Sequence, residues 1–327
     1  MKPIIAITLG DPAGIGPEVV LKSLKDKKIY QVCRPLVIGN AETLTLNNFG
    51  SSLKIRPILN PLQAKFELGI VDILHISSLE KTILGQPTRS SGEMSATYVE
   101  KSIELALLKI VQGVVHSPIS KTAWKLARIP YPGHTEMIAS LCNIKKVAMA
   151  IVAEPLRTVM VTRHLPLNQV SQKLKIKDIV DSIDLAAQWM KKIKIKNPKI
   201  GVCAFNPHAG ENGLMGNEEL SLISPAIQLA RKKTKAEILG PLPADSAFRD
   251  HLHKKYDCLI TQYHDQSLIP LKLWNASGLI NITLGLPFPR TSPGHGTAFD
   301  IAGKKQADPL PMIQSILTSA QLVDFYL

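Results

Sequence analysis

The sequence predicts an α/β fold built on a largely parallel sheet. Short β-branched runs alternate along the chain with segments of helical periodicity, and this alternation is typical of such folds. No internal repeat and no low-complexity linker interrupts the pattern. At 327 residues the chain is long for one hydrophobic core, so we expect two subdomains or one large α/β unit. Because no linker separates them, we expect them to be interleaved.

Nine β-branched runs are predicted as strands: 4–8, 35–38, 71–76, 114–116, 147–152, 158–162, 199–205, 258–261 and 279–284. Between them, apolar residues recur at three- and four-residue steps, most clearly over 93–112, where Ser91 is the predicted N-cap. Further helices are predicted near 178–192, 218–232 and 308–323. We expect the subdomains to comprise roughly 1–125 plus 280–327, and 126–279.

The composition excludes several classes of protein. Apolar residues make up 45% and charged residues 20% of the chain, which are globular values. The four cysteines form no CxxC pair, which argues against a zinc ribbon, a redox motif and a disulfide scaffold. No apolar run reaches the roughly 18 residues of a membrane span. The short apolar run before Gly10 lacks a cleavage pattern, so we interpret it as a buried strand and expect a cytoplasmic protein.

The net charge is 39 − 26 = +13, which raises the question of an anionic partner. The lysines are spread along the chain, and only 5% of residues are aromatic, so stacking platforms for single-stranded nucleic acid are scarce. A solvated lysine-rich surface is therefore the favoured interpretation, with no nucleic-acid partner.

Three histidines each follow a predicted strand: His164, His208 and His264. The carboxyl ends of parallel strands share one edge of a sheet, and ligands bind there. Three converging histidines with an open position would form a catalytic metal site rather than a closed structural one. Asp245 and Asp265 are candidates to orient these ligands or to complete the coordination shell. Each histidine taken singly is typical of an ordinary loop; the shared placement favours the metal site.

Two groups of residues are candidates to bind anions. His134 and Thr135 stand where a helix is predicted to begin, and backbone N–H groups there attract negative charge. A second group suits a phosphate and a carboxylate, and it consists of Lys272, Asn281 and Arg290, the last in a predicted loop. Alone, the helix start is consistent with a plain cap, and either cation with a surface charge.

Two glycine-rich loops are candidates for a nucleotide cofactor. The first contains Gly10, Asp11 and Gly14 between a strand and a helix, but its spacing is not the GxGxxG of a dinucleotide fingerprint. The second spans 294–304 and includes His295, Gly296, Thr297 and Ala298. Neither spacing names a cofactor, and a tight structural turn explains the first loop equally well.

In combination these motifs resemble the 4-hydroxythreonine-4-phosphate dehydrogenase family over nearly the whole chain. The segments that carry the resemblance are TLGDPAGIGPE (8–18), PGHTE (132–136), NPHAGE (206–211), GPLPAD (240–245) and YHDQ (263–266). The segment 295–303 also resembles the cofactor loop of the isocitrate and isopropylmalate dehydrogenases. The resemblance implies an isopropylmalate dehydrogenase-like fold, with two interleaved α/β/α subdomains and an active-site cleft between them.

The resemblance also implies a reaction. The family uses NAD or NADP to oxidise the C3 hydroxyl of 4-phosphooxy-L-threonine to 2-amino-3-oxo-4-phosphooxybutanoate. This β-keto acid decarboxylates to 3-amino-2-oxopropyl phosphate, in the biosynthesis of pyridoxine and pyridoxal phosphate. The family is homodimeric, and each of its active sites is built from both subunits.

Residue roles follow from the same resemblance. One divalent ion per site would be bound by His164, His208 and His264, and zinc, magnesium, manganese and cobalt are candidates. The implied substrate contacts are His134, Thr135, Lys272, Asn281 and Arg290. The proposed cofactor contacts are Gly10, Asp11, Gly14, His295, Gly296, Thr297 and Ala298. Asp245, Asp265 and Lys272 remain open as candidates for the general base, because geometry must be known to rank them.

The sequence departs from the family pattern at three places. Gly294 stands where an aspartate is common, and Lys305 where a glycine is frequent. The segment beginning at His116 replaces a more usual Thr-Ala-Pro opening. The predicted metal and substrate positions match the pattern, so the departures bear on cofactor affinity and on the choice between NAD and NADP. Lys305 is a candidate contact for a 2′-phosphate or a solvated side chain.

Three alternatives accompany the leading hypothesis. A paralogous dehydrogenase would act on threonate or erythronate 4-phosphate, and the C2 amino or hydroxyl group of the substrate would distinguish the two enzymes. A regulatory module that binds a phosphorylated ligand or a metal would have kept the fold without the activity. A nucleic-acid-binding protein would show salt-sensitive binding to polyanions.

Overall fold

The computed structural model describes residues 1–48, 52–76 and 83–326. The chain divides into two compact units: unit 1 is Met1–Lys145 with Leu286–Leu327, and unit 2 is Lys146–Gly285. Unit 2 is therefore inserted into the chain of unit 1. The sequence analysis placed the two boundaries about 20 and 6 residues earlier, near 125 and 279.

Unit 1 contains six parallel strands, numbered here in chain order: β1 (Ile4–Thr8), β2 (Arg34–Gly39), β3 (Lys54–Ile58), β4 (Ile70–His75), β5 (Gly113–His116) and β12 (Arg290–Pro293). Their order is β3-β4-β2-β1-β5-β12. Its helices are α1 (Gly16–Ser23), α2 (Lys27–Val32), α3 (Ala41–Leu46), α4 (Arg89–Leu107), α5 (Lys121–Leu126), α6 (His134–Leu141) and α12 (Leu310–Val323). Short 3₁₀ turns occur at Pro61–Gln63 and Phe299–Ile301.

Unit 2 contains the other six strands: β6 (Ala148–Ala153), β7 (Leu156–Met160), β8 (Lys199–Cys203), β9 (Glu237–Leu242), β10 (Cys258–Thr261) and β11 (Ile280–Leu284). Their order is β11-β6-β7-β10-β8-β9, with the β11–β6 and β6–β7 pairs antiparallel and the rest parallel. Its helices are α7 (Leu167–Lys173), α8 (Ile176–Lys192), α9 (Ser224–Lys233), α10 (Ala244–Leu252) and α11 (His264–Asn275). The predicted α/β fold with a mostly parallel sheet is confirmed.

The predicted N-cap of the long helix is wrong. Helix α4 begins at Arg89 and is capped by Thr88, whose side chain accepts a hydrogen bond from the backbone N–H of Ser91. Ser91 accepts in return from the backbone N–H of Thr88, so it forms the second half of a capping box. Thr88 and Ser91 both have hydroxyl groups that suit an N-cap. Because each accepts a hydrogen bond from the backbone N–H of the other, the helix begins directly after Thr88.

The core of each unit follows from amphipathic elements. In β1, Ile5, Ala6 and Ile7 are fully buried, as expected of a central strand covered on both faces. In α8, Ile179, Ile183 and Ala186 are fully buried at three- and four-residue spacing, so one face of this helix packs on the sheet of unit 2. Across the described ranges 1–48, 52–76 and 83–326, no helix is both long and apolar enough to span a membrane.

Candidate active site

A buried arginine lies at the beginning of β12. Arg290 was expected in a loop, but it is the first residue of a strand that pairs with β5, and it is only 1% exposed. Its Nε donates a hydrogen bond to Nδ1 of His116, at 3.1 Å. Burial lowers the pKa of Arg290 to about 9, although the nearby Glu136 carboxylate opposes that shift. Unit 1 thus holds a cation that is shielded from water.

The contact with Arg290 defines the protonation of His116. A guanidinium group only donates, so Nδ1 of His116 accepts and its proton is on Nε2. Nε2 then donates to the hydroxyl oxygen of Ser102 at 2.8 Å, and that hydroxyl donates to the carbonyl of Val99 at 2.7 Å. Burial, Arg290 and His134 together lower the pKa of His116. The ring is therefore neutral and held at both nitrogens.

His134 lies against the ring of His116. The two rings stack with centroids 5.1 Å apart and an angle of 12°, and Trp124 presents its edge to His134 at 5.8 Å. Burial and Arg290 lower the pKa of His134. Its Nε2 is buried and has no hydrogen-bond partner among the described residues. A buried polar atom without a partner costs free energy that a ligand in contact with it would recover.

Unit 1 brings together three of the five predicted substrate residues. His134 is the first residue of α6 and Thr135 the second, and Thr135 is buried. Through His116, His134 is linked to Arg290. The first backbone N–H groups of a helix have no partner within the helix, and this end of the helix attracts anions. A guanidinium group, a neutral imidazole and a helix start thus suit a phosphate or a carboxylate.

The other two predicted substrate residues belong to unit 2. Lys272 is an exposed residue of α11. Asn281 lies on β11 and is half-buried, and its Oδ1 is buried without a hydrogen-bond partner among the residues described. This oxygen and Nε2 of His134 are thus two buried atoms of the predicted substrate residues without a hydrogen-bond partner in the described structure. A ligand that contacts them would offset the free-energy cost of their burial.

Two of the three predicted metal ligands lie together in unit 2. His164 follows β7 and His264 begins α11 directly after β10, and these two strands are parallel neighbours. Their ring centroids are 5.7 Å apart. Nδ1 of His264 donates to the Asp265 carboxylate at 2.6 Å, which leaves the Nε2 lone pair of His264 for a ligand. Asp265 therefore fits the orienting role that the sequence analysis considered for it.

The third predicted ligand, His208, lies in an unusual segment after β8. Residues 208–212 are five consecutive residues with positive φ, from 44° to 76°, so the chain makes a left-handed turn there. His208 is exposed on this turn. Over the described parts of the chain, no group of three or more His, Cys, Asp or Glu side chains is close enough to hold one metal ion. Two histidines thus fit a metal, and the complete triad stays a prediction.

A buried glutamate supports the left-handed turn, and sequence reasoning missed it. Glu219 is 2% exposed, and its Oε1 accepts hydrogen bonds from the backbone N–H groups of Phe205 and Asn206, both at 2.8 Å. Its Oε2 accepts from the Asn206 side chain at 2.9 Å. The sequence does contain a signal for this role. Glu219 lies four residues before Ile223 and therefore on the same helix face, and an acidic residue on a buried face needs hydrogen-bond partners.

The two glycine-rich loops of unit 1 pack against each other. The backbone N–H of Ile15 donates to the carbonyl of Thr297 at 2.9 Å, and a Cβ on Gly14 would lie 2.8 Å from that same oxygen. Gly10 has φ +68°, and a Cβ there would lie 2.4 Å from the carbonyl of Pro118. Gly14 is therefore required where the two loops meet, and Gly10 is required where the first loop meets Pro118. The structure thus places the two predicted cofactor segments side by side.

A buried carboxyl group lies inside the first of these loops. Asp11 is fully buried, and it accepts hydrogen bonds from the backbone N–H of Ala13 at 3.0 Å and the hydroxyl of Ser91 at 3.3 Å. Burial raises the pKa of Asp11 to about 6, and the two hydrogen bonds only partly oppose the shift. Asp11 therefore titrates close to neutral pH and organises the loop from within.

The second loop offers one unsatisfied nitrogen. Nδ1 of His295 donates to the carbonyl of Gly296 at 3.0 Å, and Nε2 is buried with no partner in the described structure. A Cβ on Gly296 would meet open space, and Ala298 has φ +42°. This geometry is compatible with the predicted cofactor loop, because it combines an unsatisfied nitrogen with open space beside Gly296. Lys305, beyond the loop, has φ +62°, a conformation that favours glycine.

The candidates for the general base differ in their contacts. Asp265 is bonded to His264, whereas Asp245 lies exposed in the first turn of α10. Lys272, the third candidate, is exposed on α11. The His264 contact favours an orienting function for Asp265, so Asp245 and Lys272 stay the open alternatives.

Comparison with known proteins adds independent findings. Residues 31–319 match the family model described as pyridoxal phosphate biosynthetic protein PdxA. A 4-hydroxythreonine-4-phosphate dehydrogenase from Desulforapulum autotrophicum is 40% identical over 324 residues, which cover 98% of this chain and 95% of the relative. A D-threonate 4-phosphate dehydrogenase from Cupriavidus necator is 38% identical, covering 98% of this chain and 97% of the relative.

The fold has known counterparts as well. The crystal structure of 4-hydroxythreonine-4-phosphate dehydrogenase from Klebsiella pneumoniae has a TM-score of 0.89 at 36% identity, covering 98% of this chain and 100% of that one. Isocitrate dehydrogenase from Methylococcus capsulatus shares the fold alone, with a TM-score of 0.51 at 14% identity over all of this chain and 88% of that one. The predicted isopropylmalate dehydrogenase-like fold and the family resemblance are confirmed. The chain belongs to the family of the pyridoxal phosphate biosynthetic protein PdxA.

Proposed function

We propose that this chain oxidises the C3 hydroxyl of 4-phosphooxy-L-threonine with NAD or NADP. The product, 2-amino-3-oxo-4-phosphooxybutanoate, loses CO₂ and gives 3-amino-2-oxopropyl phosphate for pyridoxal phosphate biosynthesis. The observation that carries the proposal is the buried cluster of Arg290, His116 and His134 in unit 1. The 4-hydroxythreonine-4-phosphate dehydrogenase from Desulforapulum autotrophicum, at 40% identity, supports it.

Arg290 is the proposed phosphate-binding residue. Burial has already lowered its pKa to about 9, so its charge is incompletely compensated, and a phosphate dianion would restore the balance. Its partner His116 is neutral and adds no competing negative charge. The unsatisfied Nε2 of His134 would contact the same ligand. Thr135, Lys272 and Asn281 complete the proposed substrate contacts.

A divalent ion is proposed on His164 and His264, with His208 as the third ligand. Imidazole nitrogens suit zinc and cobalt, and manganese or magnesium would require carboxylate or water oxygens as well. When bound, such an ion would polarise the substrate hydroxyl and stabilise the negative charge that develops on its oxygen. Asp265 fixes the ring of His264 for this purpose. The resemblance to homodimeric enzymes supports a homodimer with shared active sites.

The nicotinamide cofactor is proposed to bind at the paired loops of unit 1. When bound, NAD or NADP accepts the hydride that leaves C3. The chain contributes Gly10, Asp11 and Gly14 on one loop, and His295, Gly296, Thr297 and Ala298 on the other. We propose Asp245 or Lys272 as the base that takes the hydroxyl proton, because Asp265 is engaged with His264. The cytoplasmic location stays a prediction.

The test is formation of reduced cofactor from purified full-length protein with 4-phosphooxy-L-threonine, with NAD or NADP, before and after treatment with a chelator. The proposal predicts turnover that the chelator abolishes and that added zinc, cobalt, manganese or magnesium restores. His208→Ala should lose metal and activity while keeping the fold. Undiminished activity in that variant would refute the metal assignment.

A second candidate is a threonate or erythronate 4-phosphate dehydrogenase. The observation that favours it is the Cupriavidus necator relative, which at 38% identity is almost as similar as the 4-hydroxythreonine-4-phosphate dehydrogenase at 40%. The two substrates differ at C2, where one has an amino group and the other a hydroxyl. Turnover of the phosphorylated sugar acid without turnover of 4-phosphooxy-L-threonine would replace the first candidate by the second.

A further inference from the structure

We propose that His116 is a positioning residue that holds Arg290 and His134 in the orientation that binds phosphate. The inference rests on the proposed function, which assigns anion binding to those two residues. His116 itself has no assigned role, and it stands where the sequence departs from the family pattern. It ends β5 and is fully buried, so it acts through the residues that it contacts.

Three contacts immobilise the His116 ring. Nδ1 accepts from Nε of Arg290 at 3.1 Å, and Nε2 donates to the Ser102 hydroxyl at 2.8 Å. The face of the ring stacks on His134 at 5.1 Å. A ring flip would bring the Cδ2–H to the guanidinium and the Cε1–H to the Ser102 hydroxyl, so both hydrogen bonds specify one orientation. The ring therefore fixes the Arg290 Nε direction and one face of His134.

The chemistry of an imidazole suits this task. An apolar side chain at position 116 would leave Nε of Arg290 without its acceptor in a buried place. A carboxylate would satisfy Nε but would neutralise the guanidinium and repel the phosphate. A neutral imidazole accepts without adding charge, so Arg290 keeps its full attraction for an anion. Ser102 ensures that the accepting nitrogen faces Arg290.

The test compares substitutions that separate the two nitrogens. In His116→Asn the amide oxygen stands near the place of Nδ1, so the variant keeps an acceptor for Arg290 and is the conservative rescue. In His116→Gln the amide reaches the place of Nε2 instead, and His116→Leu offers no acceptor. The readout is the Kd of inorganic phosphate, measured by calorimetry on the full-length protein, beside the Kd of NAD or NADP.

We expect His116→Leu and His116→Gln to raise the Kd of phosphate about 10- to 100-fold, the range measured for hydrogen bonds to charged groups. His116→Asn should stay within about threefold of the wild type, and Ser102→Ala should lie between. The Kd of the cofactor should not change in any of them. A merely structural role would weaken both ligands together, and the asparagine would not rescue phosphate binding.

The outcomes distinguish this proposal from the proposed function. If the wild type binds phosphate, Arg290→Met does not, and folded His116→Leu binds as tightly as the wild type, the positioning role alone is overturned. If neither the wild type nor Arg290→Met binds phosphate, the anion-binding assignment fails and the positioning role fails with it. Should His116→Leu not fold, the contrast between His116→Asn and His116→Gln decides.

Discussion

Units 1 and 2 present their candidate residues in opposite ways. In unit 1, His116 and Arg290 are 0% and 1% exposed, and each is held by hydrogen bonds or stacking. In unit 2, the side chains of His264 and Asp265 are 39% and 68% exposed, and His208 is exposed on a left-handed turn. The difference teaches that unit 1 holds its proposed anion-binding groups in place through hydrogen bonds and packing within the unit. The side chains of unit 2 that are proposed to bind a metal are exposed, so their positions depend more on the bound ion.

Electrostatics strengthens the contrast. A buried charge interacts through a medium of low polarity, so Arg290 attracts an anion more strongly than an exposed Lys272 does. Exposed pairs such as His264 and Asp265 are screened by water and salt. We therefore expect changes in unit 1 to have the largest effects on activity. Four substitutions probe the two units through activity, stability or metal affinity, and they follow from the largest expected effect to the smallest.

Replacing Arg290 is the most severe change. We expect Arg290→Met to lower kcat/KM for 4-phosphooxy-L-threonine about 1,000-fold, because a buried charged contact to phosphate is lost. Methionine fills a similar volume without a charge, and it lacks the N–H that donates to Nδ1 of His116, so circular dichroism of the variant is measured beside its kinetics. Steady-state kinetics with the reduced cofactor as signal measures the effect. Arg290→Lys, which keeps the charge but loses the fork, should fall between.

Glu219 is a buried charged residue of unit 2, in contrast to the exposed His264 and Asp265. Glu219→Ala should lower the free energy of unfolding by about 4 kcal/mol, because it leaves two backbone N–H groups without an acceptor. Urea denaturation followed by circular dichroism provides the measurement. The matched control is Glu218→Ala, since Glu218 accepts a hydrogen bond from the Asn206 side chain at 2.8 Å. Equal losses in both variants would contradict the support that we ascribe to Glu219.

Asp11 makes the stability of unit 1 depend on pH. Its pKa of about 6 when folded lies above its usual value, so the folded state binds the proton more tightly than the unfolded state. Stability contributed by Asp11 is therefore present at low pH and is lost as the pH rises from about 4 to about 6. The loss amounts to about 3 kcal/mol.

Asp11→Asn removes this titration and keeps an acceptor for the Ala13 N–H. The difference in unfolding free energy between Asp11→Asn and the wild type should grow in favour of the variant by about 3 kcal/mol between about pH 4 and pH 7. Chemical denaturation at a series of pH values measures it. A difference that does not change with pH would show that Asp11 titrates alike in both states.

Asp265 should have the smallest effect of the four. Asp265→Asn weakens the contact that orients His264, so we expect metal affinity to fall about tenfold. Competition between the protein and a chromogenic chelator for zinc or cobalt measures the affinity. Asp250→Asn is the control, because Asp250 is an aspartate of the same unit that pairs with Lys255, at 3.0 Å. Unchanged affinity in Asp265→Asn would remove the orienting role.

Much of the fold could be predicted from the sequence because the relevant signals are local. The β-branched runs located β1, β5 and β10 within a residue or two, and the apolar stripe located α8. The strand β12 was missed, because its four residues, Arg290–Pro293, include a charge and a proline and show no alternation. It is buried because β5 pairs with it, a partner more than 170 residues earlier in the chain.

In the candidate site, too, local signals could be predicted from the sequence and long-range contacts could not. The rule that ligands follow parallel strands identified His164 and His264, which the structure places beside each other. It could not show that residues 208–212 turn left-handed, nor that the carboxylate of Glu219, from a later part of the chain, holds the backbone of the two residues Phe205 and Asn206 that precede the turn. Nor could it assign His116, whose partners Arg290 and Ser102 come from different parts of the chain.

The central claim is that the buried arginine of unit 1 binds the phosphate of the substrate. The most direct test is a double cycle: kcat/KM of the wild type and of Arg290→Met, each with 4-phosphooxy-L-threonine and with 4-hydroxy-L-threonine. The account predicts that removing the phosphate costs the wild type about 1,000-fold and costs Arg290→Met less than about tenfold. Equal losses in the two proteins would show that Arg290 and the phosphate do not meet, and would contradict the account.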